Sequence, residues 1–575
     1  MKSLIRNAVL AVALLWASGA AAQNFLDNTG ISGSMQVDGA WYQPDDKLGI
    51  TDSTLDGKVL RMNGFTEVNY TWKNFTAGMR FEAYLPPLLG YDVQYEGVGV
   101  PYWFVNYKNE IIEVTAGNFY EQFGNGMTLR TYQEWTLGYD NSIKGLRVKV
   151  TPYKGITLKG VWGVQRYYWD PYKDHNRGIV KGIDGDFFLN EMFKGMENSK
   201  VKLELGGSFV SDYQTGKSLD YVIGDDIYTL YLPENVANYG GRINLNVGGF
   251  NLYTEYAHKI NDPSAMNHYI YKPGNGFYLN LAWSTKGFGI SGQMKRLDNM
   301  SYKSKRSVTN NMLNINYLPS LTKEHTYYLA SMYPYATQPT GEFGFAGTLT
   351  YTIKKNTALG GKSGWNIVAN YSQINGIGKE AINDTTPIGQ PGTLGYSTSF
   401  FDISKELYYR DFNIEVTKKF GKKWKGIFTY LNQAYNRDVV EGHNNEYGIV
   451  YSNIGIADIT WRITSDYALR WELQGLWSPK AKQGYENNTG DWAAGLVELT
   501  INPHWFFSVS DQWNYGNLDK EMRLHYYNVN LGYVYNSTRI SLAYGRQREG
   551  IICVGGVCRY VPASTGLTLT VTSSF

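Results

Sequence analysis

Any nucleophilic, redox or metal chemistry in this chain would start from two cysteines and seven histidines. Cys553 and Cys558 are spaced C-x4-C around Gly555-Gly556. In a secreted chain an isolated pair reads as a disulfide that stiffens a loop. Half of a zinc site is the other reading, disfavoured because structural zinc takes four ligands and no histidine lies nearby in sequence. Of the histidines, His175 sits beside Asp174, with Asp184 and Asp186 following, and His443 is close to Glu441. Such neighbours could form a hydrolase relay, but a relay is defined by geometry, and most loop histidines are simply solvated. Acidic loop residues show no complete EF-type calcium loop. The expectation is a protein that is not an enzyme and carries no metal or cofactor.

A larger set of residues carries charge in a regular rhythm. Arg147 and Lys149 alternate with Leu146, Val148 and Val150, and Lys202 and Glu204 alternate with Val201, Leu203 and Leu205. Glu415 falls between Ile414 and Val416, while Arg470 and Glu472 interleave with Leu469, Trp471 and Leu473. A side-chain period of two is a strand with one apolar and one polar face. With Lys159 and Arg242, these are candidate lumen-lining residues of a membrane barrel, whose apolar face meets lipid and whose charged face meets water. Because their signs are mixed, they form no ring of one charge that would select ions. Neutral or zwitterionic polar solutes are the favoured cargo, and a lumen-side change such as Gln474→Arg should be tolerated.

The two ends of the chain carry address signals. Lys2 and Arg6 precede an apolar stretch, Ala8 to Ala17, and Ala20-Ala21-Ala22 forms a small-residue cleavage site. This pattern is a secretory signal over residues 1–22, leaving 23–575 as one barrel domain. At the other end Leu567, Leu569, Val571 and Phe575 share one face with Ser573, opposite Thr568, Thr570, Thr572 and Ser574. A final alternating strand ending in an aromatic residue resembles the signal by which outer-membrane barrels are recognised for insertion, with Phe575 as its key residue. No later segment is a continuous apolar run long enough for a helical span. Aromatic residues reach 15%, with 48 Tyr and 16 Trp, which suits girdles at two lipid–water interfaces. Trp41-Tyr42, Tyr102-Trp103, Tyr167 to Trp169, Trp505 to Phe507 and Tyr526-Tyr527 are the expected girdle rings. A formal net charge of +3 gives no reason to invoke nucleic acid. A soluble β-sandwich would share the alternation but not the girdles or the terminal signal.

Turn chemistry supplies the count. Short breaks fall at Lys73-Asn74, Lys108-Asn109, 153–155, 197–199, Gly248-Gly249, Lys286-Gly287, 354–356, 421–423, Ser465-Asp466, Asn502-Pro503 and Asn536-Ser537. They imply an all-β, antiparallel up-and-down transmembrane barrel of about 24 strands, within two either way. Long connections alternate with them, near 43–57, 86–101, 121–142, 212–239, 297–341 and 375–403. Side chains alone cannot fill so wide a barrel. With the first strand close to the cleavage site there is no room for an N-terminal plug, so the extracellular loops should fold inward. Leu297 to Gly341, rich in tyrosine, is the best candidate.

The segments Tyr120-Glu121-Gln122-Phe123-Gly124-Asn125-Gly126-Met127, Gly138-Tyr139-Asp140-Asn141-Ser142-Ile143-Lys144-Gly145 and Gly555-Gly556-Val557-Cys558-Arg559 resemble a family of Bacteroidota outer-membrane barrels of unknown function. The resemblance implies a fold and a compartment, the Gram-negative outer membrane, and no catalytic residues. The expected function is a porin-like or transport-related barrel for polar solutes, constricted by its own loops. A closed barrel subunit of a secretion or assembly complex is the alternative, and a barrel hydrolase is a more distant one. Expected partners are outer-membrane lipid, lipopolysaccharide, the barrel-assembly machinery and further, unidentified membrane-complex proteins.

Overall fold

The computed structural model describes residues 29–169, 177–216, 218–223, 226–478, 490–554 and 557–575. The expected signal segment, and the Asp174-His175 pair, lie outside the described residues. Twenty-four strands form one sheet. They are β1 (Thr29–Tyr42), β2 (Leu60–Trp72), β3 (Phe75–Tyr84), β4 (Gly97–Lys108), β5 (Ile112–Phe119), β6 (Ile143–Tyr153), β7 (Ile156–Gln165) and β8 (Ile179–Phe188). Next come β9 (Val201–Tyr213), β10 (Asn235–Val247), β11 (Phe250–Lys259), β12 (Gly274–Thr285), β13 (Phe288–Asp298), β14 (Gly341–Ile353), β15 (Trp365–Ile377) and β16 (Ile403–Lys419). The last are β17 (Trp424–Asn436), β18 (Ile449–Arg462), β19 (Tyr467–Trp477), β20 (Trp492–Ile501), β21 (Trp505–Trp513), β22 (His525–Tyr535), β23 (Thr538–Gln547) and β24 (Ser564–Ser574).

Each strand pairs antiparallel with its chain neighbours, and β1 pairs with β24 from Ser34↔Ser574 to Tyr42↔Gly566, so the sheet closes without an edge. All eleven expected turns fall between consecutive strands. Two are longer than a turn: 189–200 contains a short helix, Leu189–Met192, and 354–364 is an extended connection. The longer connections all emerge at the other end, which by the barrel rule is the extracellular one.

The faces are inverted relative to a water-soluble protein. On β3 Met79 is 57% exposed on the outside, whereas its inward neighbours Arg80 and Glu82 are 1% and 0% exposed. Such a surface is stable only against hydrocarbon. Two aromatic belts bound it. At the short-turn end Trp424 stacks on Trp461 and Trp471 at 5.2 and 6.0 Å, and Phe75 packs on Tyr107 at 4.9 Å. Near the other end Trp41, Trp162, Trp477 and Trp513 point outward.

Several expected girdle rings lie elsewhere. Because successive strand residues face opposite ways, Trp41, Trp103 and Trp505 are outside, but Tyr42 and Tyr526 are buried inside, and Tyr102 stacks on Tyr120 within the lumen at 5.4 Å. Tyr167 to Trp169 belong to a loop and pack against Tyr84 and Tyr95.

Candidate functional site: a lumen closed by two loops

Two long loops fill the interior. The first, 120–142, carries the first motif segment and most of the second, which runs on into β6. Its anchor is a buried ionic cluster: Arg166 donates to both carboxylate oxygens of Glu82 at 2.7 Å and to Asp140 at 2.7 Å. Arg80 donates to Glu82 at 2.7 Å and also pairs with Asp140. Two cations meet two buried anions, and the half-exposed Glu67 also pairs with Arg80 at 3.3 Å, so every buried charge is paired and hydrogen-bonded, the condition under which buried charge is tolerated. Burial alone would raise the Asp140 carboxyl, but the Arg80 and Arg166 guanidiniums hold it at about 2. On the other side of the loop, the Asn125 amide donates to Glu255 on β11 at 2.8 Å. Gly124 sits at φ 52°, where an added Cβ would lie 2.7 Å from the Glu255 carboxylate oxygens. The motif glycine is therefore a close-approach position, and the motif as a whole is the loop's attachment to the wall.

The second loop, 299–340, crosses the lumen. It joins the first loop by backbone bonds, Arg130 N to Ile315 O at 2.8 Å and Tyr317 N to Gly126 O at 3.0 Å, and Asn141 Nδ2 donates to Asn314 O at 2.8 Å. Its far segment reaches the opposite wall, where His325 pairs with Asp411 at 2.8 Å on β16. Tyr327 donates to Asp458 at 3.1 Å on β18, and the Leu329 amide donates to Gln474 at 2.8 Å on β19. Around these contacts Leu329, Ala330 and Met332 pack on Leu431, Ile454, Leu476 and Trp492. Those four point inward from β17 to β20, breaking the polar-inside rule. They were visible as apolar residues in the inner phase of four consecutive strands, and sequence reasoning assigned them no role.

The candidate lumen-lining residues face the interior, in a different setting from an open, water-lined wall. Arg147 pairs with Glu113 and Glu121 at 2.7 and 2.6 Å, and Arg242 with Asp184 at 2.8 Å. Arg470 pairs with Asp458 at 2.9 Å and with Glu472, while Glu415 faces Lys323 of the crossing loop at 3.5 Å. Lys159 lies 3.6 Å from both Glu121 and Asp184. Glu204 accepts from Asn244 at 3.1 Å, and Lys149 sits in register with Lys159 and Glu113. Lys202 lies near the short-turn end and donates to the Glu197 carbonyl at 2.9 Å. Arg147, Lys159, Arg242, Glu415, Arg470 and Glu472 are thus ion-paired, whereas Lys149, Lys202 and Glu204 make no ion pair among the described residues. Gln474 also departs from expectation: it holds the crossing loop, so a change there disturbs the closure.

Cys553 and Cys558 are disulfide-bonded across a hairpin, Gly550–Val554 with Val557–Val561, at the long-loop end. The Asn311 amide of the crossing loop donates to the Cys558 carbonyl at 2.8 Å, tying hairpin to loop. Hairpin, crossing loop and segment 437–448 enclose a vestibule of about 830 Å³ on the outer side of the closure. His443 and Glu441, 3.2 Å apart, lie in its wall, where Glu441 also pairs with Arg437 at 2.9 Å. Phe575 closes the seam, exchanging backbone bonds with Gly33 at 2.9 and 3.0 Å while its ring covers that glycine.

Lipid-facing exterior and self-filled interior together define the class: an outer-membrane transmembrane β-barrel stoppered by its own loops. The chain belongs to the family of unknown function DUF6029, whose family model matches residues 1–575. No curated protein matches it in sequence. Among solved structures it is similar to the siderophore receptor PirA from Pseudomonas aeruginosa, with 9% identity and a TM-score of 0.41 over 95% of this chain and 80% of that one. It is also similar to the copper transporter OprC, with 10% identity and a TM-score of 0.39 over 96% and 81%. A third is OpdK from Pseudomonas aeruginosa, solved with vanillate, with 10% identity and a TM-score of 0.31 over 73% and 97%.

Proposed function

We propose that the protein moves polar solutes across the outer membrane, that its lumen is closed at rest by loops 120–142 and 299–340, and that segment 320–335 is the movable gate. The observation that carries this reading is the unequal attachment of the two loops. Loop 120–142 is held by a fully buried four-residue ionic cluster. Segment 320–335 meets the far wall through one apolar patch, hydrogen bonds of Tyr327, Tyr328 and Leu329, and two ion pairs, His325 with Asp411 and the half-exposed Lys323 with Glu415; among the described residues no buried cluster of several charges fastens it. Elements that move are drawn from the less stable end of a structure. A vestibule on the outer side supplies a place for solute to wait above the gate.

In this reading residues 1–22 are a cleaved signal, Phe575 serves recognition by the assembly machinery, and lipopolysaccharide surrounds the outer belt. Liposome swelling with arabinose tests the transport role. A variant with 320–335 replaced by a short Gly-Ser linker should swell the vesicles rapidly, and wild-type protein slowly. A correctly assembled linker variant that admits no solute would favour a closed scaffold subunit instead.

A further inference from the structure

The vestibule is out of charge balance. Its wall holds Lys303, Arg437, Arg548 and Arg559 against Glu441 and Glu549. Both carboxylates are engaged, Glu441 by Arg437 and His443, and Glu549 by the Tyr560 hydroxyl at 2.7 Å. Among the described residues, Lys303, Arg548 and Arg559 make no ion pair. Lys303 donates to neutral acceptors, the Asn310 and Met312 carbonyls at 2.7 and 2.9 Å and Asn314 Oδ1 at 2.6 Å. Arg548 donates to the Glu549 carbonyl at 3.2 Å. Arg559 belongs to the Gly555-to-Arg559 motif; its guanidinium lies 4.1 Å from the centre of the Tyr91 ring, and its Nε and Nη1 are buried without a hydrogen-bond partner.

Buried donors nearly always find an acceptor, and unpaired buried cations normally find an anion. A guanidinium is a planar fork shaped for carboxylate or phosphate oxygens. Burial pulls both Arg548 and Arg559 below the ordinary arginine value, as expected for charge still awaiting compensation. The cavity volume falls within the usual range for small-molecule sites, and the Tyr333 and Tyr435 rings, 5.4 Å apart, offer flat surface beside the cations.

We propose that the vestibule binds a small organic anion through a carboxylate or phosphate group, with Arg559 and Arg548 as its charge partners. As the identity of the transported cargo this rests on the transport reading; as a binding site it stands by itself. Deeper in the lumen most of the named wall charges are ion-paired and the rest are of mixed sign, so selection falls to the vestibule, and the cargo is anionic rather than neutral.

The test is calorimetric titration of the full chain in detergent micelles with glucose 6-phosphate, glucuronate and glucose, which share a ring and differ in the acid group. At low salt at least one acid should bind ten-fold or more tighter than glucose, and added sodium chloride should weaken it. R559Q and R548Q should each reduce acid binding at least ten-fold. E549Q, which removes a wall anion, should strengthen it several-fold and so provides a readout independent of the arginine variants. Equal binding of all three sugars, no binding to protein that retains heat-modifiable gel migration, or unchanged affinity in both arginine variants would overturn the proposal. Acid binding without uptake into liposomes would instead leave the site standing and remove the transport reading.

Discussion

Lys303 is 4% exposed in the crossing loop, and burial pulls its ammonium down to about 7 from the ordinary lysine value of 10.5. The sign of the consequence follows from linkage. Below pH 7 docked and undocked loops both hold the proton, and docking bears the full cost of the buried charge. From pH 7 to 10.5 the undocked loop binds more proton, so docking strengthens as pH rises, by up to about 1.4 kcal/mol per unit. Lys303→Met removes the titrating group and should abolish that slope, measured as hydrogen-exchange protection of 299–340 between pH 7.5 and 9.5. The other vestibule charges, Arg437, Glu441, His443, Arg548, Glu549 and Arg559, are common to both proteins. A parallel slope in the variant would assign the dependence to one of them. At the barrel seam, deletion of Phe575 removes two backbone bonds and the ring over Gly33, whereas Ser574→Ala changes an inward hydroxyl. Heat-modifiable migration should fall sharply for the first and little for the second; equal assembly would contradict a terminal signal.

At the level of elements, the proposed gate is fastened by an apolar patch, ion pairs and hydrogen bonds, and its strength is open to mutation. Leu329 is fully buried against Leu431, Ile454 and Leu476. Leu329→Ala should cost about 2–5 kcal/mol of loop docking while leaving the strands intact, seen as lost exchange protection in 320–335 with unchanged protection in β16 to β20. The disulfide hairpin is another separable element. Cys553→Ser with Cys558→Ser should assemble normally, because the strands close without it, and the reduced native thiols should react in whole cells with a membrane-impermeant maleimide. Labelling only after the outer membrane is broken would place the long loops in the periplasm. Strand number, turn positions and the inward loops were legible because a period of two and short turn signals are local. The closure was not. Glu82, Asp140 and Arg166 are far apart in sequence and read as ordinary polar residues until the fold brings them together. Leu431, Ile454 and Leu476 looked like noise in an alternation, because what covers them comes from a loop more than 90 residues upstream of the first of them. The charges at Arg147, Arg242 and Arg470 marked a polar face but not their partners, since Asp184 and Asp458 are set by register across strands.

For the whole molecule, a 24-stranded circumference leaves more space than wall side chains can fill. This chain fills it with two loops, one anchored at a buried ionic cluster and one laid against an apolar patch with ion pairs and hydrogen bonds beside it. The proposed closure at rest with a releasable segment makes the barrel a gated pore, and single-channel recording in planar bilayers measures that gating. Wild-type protein should sit at low conductance, and replacement of 320–335 by a Gly-Ser linker should give a stable open level several-fold higher. Wild-type channels already open at the level of the linker variant would contradict the claim.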